Sequence, residues 1–235
     1  MSQHHTTIIQ DPEFEYPFSA QDFDLQYWMD KPETQTLAGG RNASCRFEVN
    51  GRILVLREYR RGGMMASLLH DRYLWTGLDN SRPLLESRAI DHALNAGLPV
   101  APWVAYCIHR QGFFYRAAVI SEFIENRGTL AEVLANQVLS ESAWQRLGTV
   151  IHMMHNSGID HADLNANNIL LDRNDQFYLI DFDKAQIHRQ PGSWQQGNLE
   201  RLLRSLNKIQ TQRQALSEAF HFKSADWHSL LSSYK

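Results

Sequence analysis

Residues 159–183, IDHADLNANNILLDRNDQFYLIDFD, hold the densest chemistry of the chain. Asp163 is followed five residues later by Asn168, then by a short apolar run, a polar turn, a second apolar run and the triplet Asp181-Phe182-Asp183. Residues 168–172 and 177–181 are rich in β-branched and aromatic side chains, and 173–176 between them is turn chemistry, so the spacing predicts a β-hairpin. Such a hairpin delivers Asp163, Asn168 and Asp181 to one end of its strands. Three oxygen-bearing side chains gathered there suit a Mg²⁺–nucleotide site, because Mg²⁺ takes one or two protein oxygens and leaves the rest of its octahedron to phosphates and water. Asn168 and Asp181 are then the metal ligands, and Asp163 is left to receive a proton.

This pattern resembles the catalytic loop and metal-binding triplet of protein kinases, with HADLNANN (161–168) standing for H-R-D-x-x-x-x-N and Asp181-Phe182-Asp183 for D-F-G. Within that superfamily, VLREYRRGG (55–63), AGLPVAPW (96–103), HADLNANNILLD (161–172) and IDFDKA (180–185) together are similar to the lipopolysaccharide kinases, the Kdo kinase family, over about residues 39–208. The resemblance implies an α+β, two-lobed protein-kinase-like fold, with an N-terminal antiparallel sheet carrying one main helix and a mostly helical C-terminal lobe. It implies ATP as donor, Mg²⁺ as cofactor and, as acceptor, a hydroxyl of the 3-deoxy-D-manno-octulosonic acid (Kdo) sugar on lipid A, an anionic glycolipid of the inner membrane of a Gram-negative cell.

Working outward from the hairpin, the N-terminal side supplies the phosphate-handling candidates. Residues 38–44 are a small-residue loop containing Gly39 and Gly40, where backbone N–H groups can approach phosphate oxygens without a Cβ in the way. A plain glycine turn is the competing reading. Strand alternation over 45–49, Asn50-Gly51 as a tight turn and a return strand over 52–59 form a second predicted hairpin. Where kinases carry a phosphate-binding lysine on the return strand, this chain has Arg57, a planar fork in place of a compact ammonium. The other reading of Arg57 is a solvated strand-end arginine. Arg60 and Arg61 follow at once, either a solvated charge pair or a recognition element for an acidic group. A helix is expected over 81–97, capped near Ser81 and stopped by Gly97, and Glu86 within it is the candidate partner of Arg57. By the resemblance, a hinge at 122–128 would meet adenine through main-chain groups of Glu122 to Ile124.

Helices are expected over 129–137 and 140–158, the second with Trp144, Leu147, Val150, Ile151 and Met154 on one face and Gly158 as its stop. His152 and His155 on it read as packing or hydrogen-bonding residues in preference to metal ligands, and His161 as a group that pins the loop backbone. After the triplet comes a short segment and an amphipathic helix over 195–208, with Arg201, Arg204 and Lys208 on a basic side that either is simply solvated or meets an anionic substrate or headgroup. The segment lacks the length and the A-P-E anchor of a protein-kinase activation loop, and Ala162 replaces the arginine that holds one, so the acceptor is expected not to be a protein. The last residues, 211–235, read as one or two short helices, and the first 35 show no clear period and are expected to pack on the first lobe.

Composition narrows the remaining classes. A formal net charge of −3 gives no global reason to expect nucleic acid. Two distant cysteines, Cys45 and Cys107, argue against a disulfide framework or a zinc site and fit a reducing compartment. No signal peptide or spanning helix is legible, so any membrane contact is expected to be peripheral, and the family resemblance implies that it is on the cytoplasmic face of the inner membrane. The expected organisation is an N-terminal lobe over 1–121, the hinge at 122–128 and a helical lobe over 129–235. The site expected from sequence and resemblance comprises Asp163 as base, Asn168 and Asp181 as metal ligands, and Gly39, Gly40, Arg57, Glu86, Glu122 and Ile124 as nucleotide contacts. A small-molecule kinase of the aminoglycoside or choline type and a non-catalytic nucleotide-binding pseudokinase are the alternative functions.

Overall fold

The computed structural model describes residues 4–37, 44–59 and 72–234. Gly39, Gly40 and the arginines at 60 and 61 lie outside them. The architecture is α+β, and the chain divides into two compact units, residues 1–87 with 102–123 and residues 88–101 with 124–235.

The first unit is built on an antiparallel sheet of seven strands in the order β1-β6-β7-β4-β3-β2, with β5 pairing β7. These strands are β1 (His4–Gln10), β2 (Gln35–Leu37), β3 (Ser44–Val49), β4 (Arg52–Glu58), β5 (Tyr73–Leu74), β6 (Trp103–Gln111) and β7 (Phe114–Glu122). Asn50 and Gly51 at φ of +51° and +76° close the β3–β4 hairpin, a left-handed pair that asparagine and glycine adopt most cheaply. Period-two alternation sends Cys45, Phe47, Leu54, Leu56, Cys107 and Ile120 to one face. Tyr59, Tyr106, Ile108, Tyr115 and Val119 pack on the other. Both cysteines are free thiols in these cores, and burial pushes each up to about 11.

The N-terminal segment, aperiodic as sequence, is explained by what it covers. β1 adds an edge strand to β6 in the register His4↔Gln111 through Gln10↔Ala105. Phe14, Phe18 and Phe23, with Leu25 and Trp28 of α1 (Leu25–Met29), then roof the first face of the sheet. The Trp28 ring stacks on Phe47 with centroids 3.8 Å apart, and its indole N–H donates to the Asp22 carbonyl at 2.7 Å. Its apolar residues follow the contour of a sheet face and therefore have no helical or strand period of their own.

Helix α2 (Arg82–Asn95) begins in the first unit and ends in the second, which also holds α3 (Leu130–Asn136), α4 (Glu141–Asn156), α5 (Ser193–Ala215) and α6 (Ser224–Ser233). Between α4 and α5 lie two small antiparallel pairs, β9 (Ile169–Leu171) with β10 (Phe177–Leu179) and β8 (Ile159–Asp160) with β11 (Gln186–Ile187). Helix α5 continues well past the expected end at 208, because 209–215 contain good helix formers and neither glycine nor proline. Of the C-terminal stretch from 211, only 224–233 forms a separate helix.

Glycines fix two close approaches in this unit. Gly158, at φ +82°, ends α4 where the His188 carbonyl oxygen lies 2.2 Å from the position a Cβ would take. Gly148, in the middle of α4, brings the helix against α6, where a Cβ would stand 2.1 Å from the Leu230 carbonyl oxygen. Intrinsic propensity favours alanine over glycine in a helix by about 1 kcal/mol, whereas overpacking a tight contact costs about 1–3 kcal/mol. Gly148→Ala is therefore expected to destabilise the protein in urea unfolding. A gain of stability would show that α6 does not sit against α4 at this spacing.

Candidate active site

His161 organises the loop that carries Asp163. Its side chain is completely buried, and its two ring nitrogens have different partners. Nδ1 lies 3.3 Å from the backbone N–H of Asp163, which can only donate, and Nε2 lies 3.0 Å from the Ile180 carbonyl, which can only accept. The imidazole is thus the neutral Nε2–H tautomer. Burial lowers its pKa, against raising contributions from the Ile180 carbonyl and from the Asp181 and Asp163 carboxylates, both of which lie near enough to act on it. Phe182, 1% exposed, closes over the ring with centroids 4.9 Å apart.

Asn168 completes the geometry. Its Nδ2 donates to the Asp163 carbonyl at 2.9 Å and reaches the Asp163 carboxylate at 3.5 Å, so its Oδ1 is the atom left to ligate a cation. The Ile180 N–H donates to the Asn168 carbonyl at 3.1 Å, tying the entry of β9 to the exit of β10, and Asp181 follows at φ +65°. Non-glycine residues adopt such a backbone seldom and at a cost, and surrounding structure must hold it. The tip of the hairpin is built by Asp172, whose Oδ1 accepts from the N–H groups of Asn174 and Gln176, both at 2.8 Å. Among the described residues, no three His, Cys, Asp or Glu side chains converge as a metal site.

Helix α5 braces the same loop through Asn198 and Ser205, which sequence reading did not single out, and through Arg201, which was read as part of a basic face and instead bonds the loop backbone. Asn198 is 1% exposed; its Nδ2 donates to Asp160 Oδ1 at 2.7 Å, and its Oδ1 accepts the His161 backbone N–H at 3.1 Å. One turn on, Arg201 Nη1 donates to the His161 carbonyl at 3.5 Å, and Ser205 Oγ accepts the Ala166 N–H at 3.2 Å. Asn198 shares its stripe with the buried Leu202 and Leu206. A lone amide at an apolar i, i+4, i+8 position was the signal available in the sequence.

In the first unit, Arg57 on β4 and Glu86 on α2 form an ion pair, Nη2 to Oε1 at 2.8 Å. Glu86 is 3% exposed and its second oxygen accepts a hydrogen bond from the Tyr59 hydroxyl. Burial, followed by the neighbouring Glu86 charge, raises the Tyr59 pKa well above its ordinary value, so the phenol stays protonated and donating. Tyr59 was not anticipated; it lies two residues beyond Arg57, on the same side of the chain. Glu122 pairs its carboxylate with Arg52 and gives its N–H to the Pro102 carbonyl at 2.9 Å. The Phe123 N–H is bonded to the Ile53 carbonyl, and the Ile124 carbonyl accepts from Asn126 Nδ2 at 2.6 Å.

Protein kinases pair a strand lysine with a helix glutamate, and here an arginine stands in the lysine's place in such a pair. A family model described as the lipopolysaccharide kinase (Kdo/WaaP) family matches residues 26–234. The chain belongs to this family. It is 43% identical over 175 residues to a 3-deoxy-D-manno-octulosonic acid kinase of Xylella fastidiosa (strain 9a5c), a match covering 74% of this chain and 70% of that protein. A protein of the same description from Vibrio parahaemolyticus serotype O3:K6 (strain RIMD 2210633) is 36% identical over 220 residues, or 94% of this chain and 87% of that one. One from Stenotrophomonas maltophilia (strain K279a) is 39% identical over 193 residues, covering 81% and 76%.

His155 and His161 are both held neutral, and burial takes His155 from 6.5 down to about 4. The unfolded chain takes up a proton at each below about pH 6.5 while the folded chain does not, so stability is complete above that pH and falls as the pH drops toward the folded values. His155 alone contributes a loss on the order of 3 kcal/mol by pH 4. Urea midpoints measured from pH 7.5 to 4.5 are expected to decline from just below pH 6.5, and less steeply in His155→Gln.

Proposed function

We propose that this chain transfers the γ-phosphoryl group of ATP to a hydroxyl of the Kdo sugar on Kdo-lipid A. The observation that carries this reading is the pinned Asp163–Asn168–Asp181 loop in a chain of the lipopolysaccharide kinase family. The description of its relatives as 3-deoxy-D-manno-octulosonic acid kinases supports the acceptor.

Phosphoryl transfer asks a protein chiefly for positioning and for neutralisation of charge. Asp163 accepts the proton of the attacking hydroxyl as the oxygen bonds to phosphorus and the ADP oxygen leaves. Its backbone is held by His161 at its N–H and by Asn165 and Asn168 at its carbonyl, so the carboxylate is aimed by groups that do not themselves react. The oxygens of Asn168 and Asp181 are a hard donor set that fits Mg²⁺ and would hold it, with phosphates and water completing the shell. Bound Mg²⁺ supplies neutralisation of the phosphate charge. Arg57, its fork oriented by the buried Glu86 carboxylate and Tyr59, binds the phosphates, and Gly39 and Gly40, outside the described residues, are the candidates for a phosphate cover.

We place the hinge at 122–128. Adenine recognition falls to the main chain from Glu122 to Ile124. With the N–H groups of Glu122 and Phe123 already engaged, the N–H of Ile124 is the donor in that stretch best suited to the purine edge. Among the described residues, no helix is long and apolar enough to cross a membrane. Reaching a lipid-anchored acceptor then calls for peripheral association with the cytoplasmic face of the inner membrane. The exposed Arg204 and Lys208 of α5 suit the anionic charge of that acceptor.

Incubation with ATP, Mg²⁺ and Kdo-lipid A is expected to add the mass of one phosphate to the lipid, seen by mass spectrometry. Asp163→Asn is expected to lower kcat by about 10²–10⁴-fold while leaving the folded protein intact. Transfer to soluble sugars or aminoglycosides with none to the lipid, or full activity in Asp163→Asn, would overturn the assignment.

A further inference from the structure

A chain of hydrogen bonds runs from Tyr234 through His155 and Asn198 to the main chain at His161, and every proton in it can be assigned. Asp160 Oδ1 can only accept, so the group 2.7 Å from it on Asn198 is the amide nitrogen. The amide oxygen of Asn198 therefore meets the His161 backbone N–H at 3.1 Å and His155 Nε2 at 3.3 Å. An oxygen acceptor requires His155 to carry its proton on Nε2. In a neutral imidazole Nδ1 is then an acceptor, and the atom 2.6 Å from it is the hydroxyl of Tyr234, which must donate.

The surroundings hold this arrangement in place. His155 is 3% exposed, and Trp194 and Tyr234 stand edge-on to its ring at centroid distances of 5.3 and 5.4 Å. Burial keeps the ring neutral, as the assignment demands. Tyr234 follows the end of α6, and the close approach at Gly148 sets that helix against α4, which carries His155.

We propose that Tyr234 is a positioning residue for phosphoryl transfer: its hydroxyl holds the His155 ring so that Nε2–H meets the Asn198 oxygen, and Asn198 in turn holds the main chain at His161, two residues before Asp163. Without that hydroxyl, the buried Nδ1 of His155 loses its donor and the ring is no longer held against the Asn198 oxygen. Asn198 then loses one of its hydrogen bonds, and its hold on the His161 N–H weakens. The kinetic part of this inference rests on the function proposed above; the structural part does not.

Tyr234→Phe removes the hydroxyl and keeps the ring that packs on His152 and His155. In the wild-type protein, ¹⁵N imidazole spectra are expected to show His155 as the Nε2–H tautomer. In Tyr234→Phe the Nδ1 resonance is expected to shift as its hydrogen bond is lost, with hydrogen exchange at the His161 amide at least tenfold faster. With ATP, Mg²⁺ and Kdo-lipid A, kcat is expected to fall about tenfold with KM for ATP unchanged. An Nδ1–H tautomer in the wild-type protein, or wild-type exchange at His161 together with wild-type kcat in the variant, overturns the proposal. If the wild-type protein does not phosphorylate the lipid, the function assigned above fails, while the tautomer and exchange measurements still decide the relay.

Discussion

The neutral imidazole of His161 donates from Nε2 to the Ile180 carbonyl and accepts at Nδ1 from the Asp163 N–H. One rigid ring thereby spans the residue before Asp181 and the backbone of Asp163, and each of its nitrogens can serve only one direction of hydrogen bond. A net contribution of about 1 kcal/mol per bond understates the constraint, because a buried group that loses its partner bears its full desolvation penalty of about 1–3 kcal/mol. Displacing either segment therefore costs more than keeping both in place. The positive φ of Asp181, unfavourable for the residue alone, is tolerated within this over-determined setting.

Burial has a different consequence at the pair formed by Arg57 and Glu86. Taking a carboxylate out of water is expensive, and the cost is offset only when both oxygens are satisfied with good geometry. Glu86 meets that condition with the Arg57 guanidinium on one oxygen and the Tyr59 hydroxyl on the other. The pair adds little to stability by comparison with an apolar replacement, and what it supplies is orientation. An arginine whose fork is turned by a fixed carboxylate presents its charge in a defined plane, which a lysine, as a point charge on a flexible stem, does not.

Much of the architecture was legible because short-range patterns carry it. The Asn50-Gly51 turn, the apolar face of α4 and its glycine stop, and the turn chemistry at 173–176 all follow from local geometry. Two features escaped for physical reasons. Residues 14–28 pack as a roof over a sheet face, and a contour of that kind leaves no period. Helix α5 ran beyond its expected end because no residue before Ser217 breaks it. Within the site, Tyr59, Asn198 and Tyr234 were missed as functional candidates. Each acts on a residue distant in sequence, and only Asn198, a lone amide on an apolar helix stripe, carries a local signal.

The sequence by itself determined the kind of chemistry, since the order and spacing of Asp163, Asn168 and Asp181 around a hairpin are local properties of a short stretch of chain. It also determined the family, through motifs spread along most of its length. Only the tertiary structure decided how those groups are held. The tautomers of His155 and His161, the double engagement of Glu86 and the bracing of the loop by α5 depend on which donors and acceptors burial brings together. A hydrogen bond buried away from water has a direction that its partners impose, and those partners lie up to 79 residues apart in the chain.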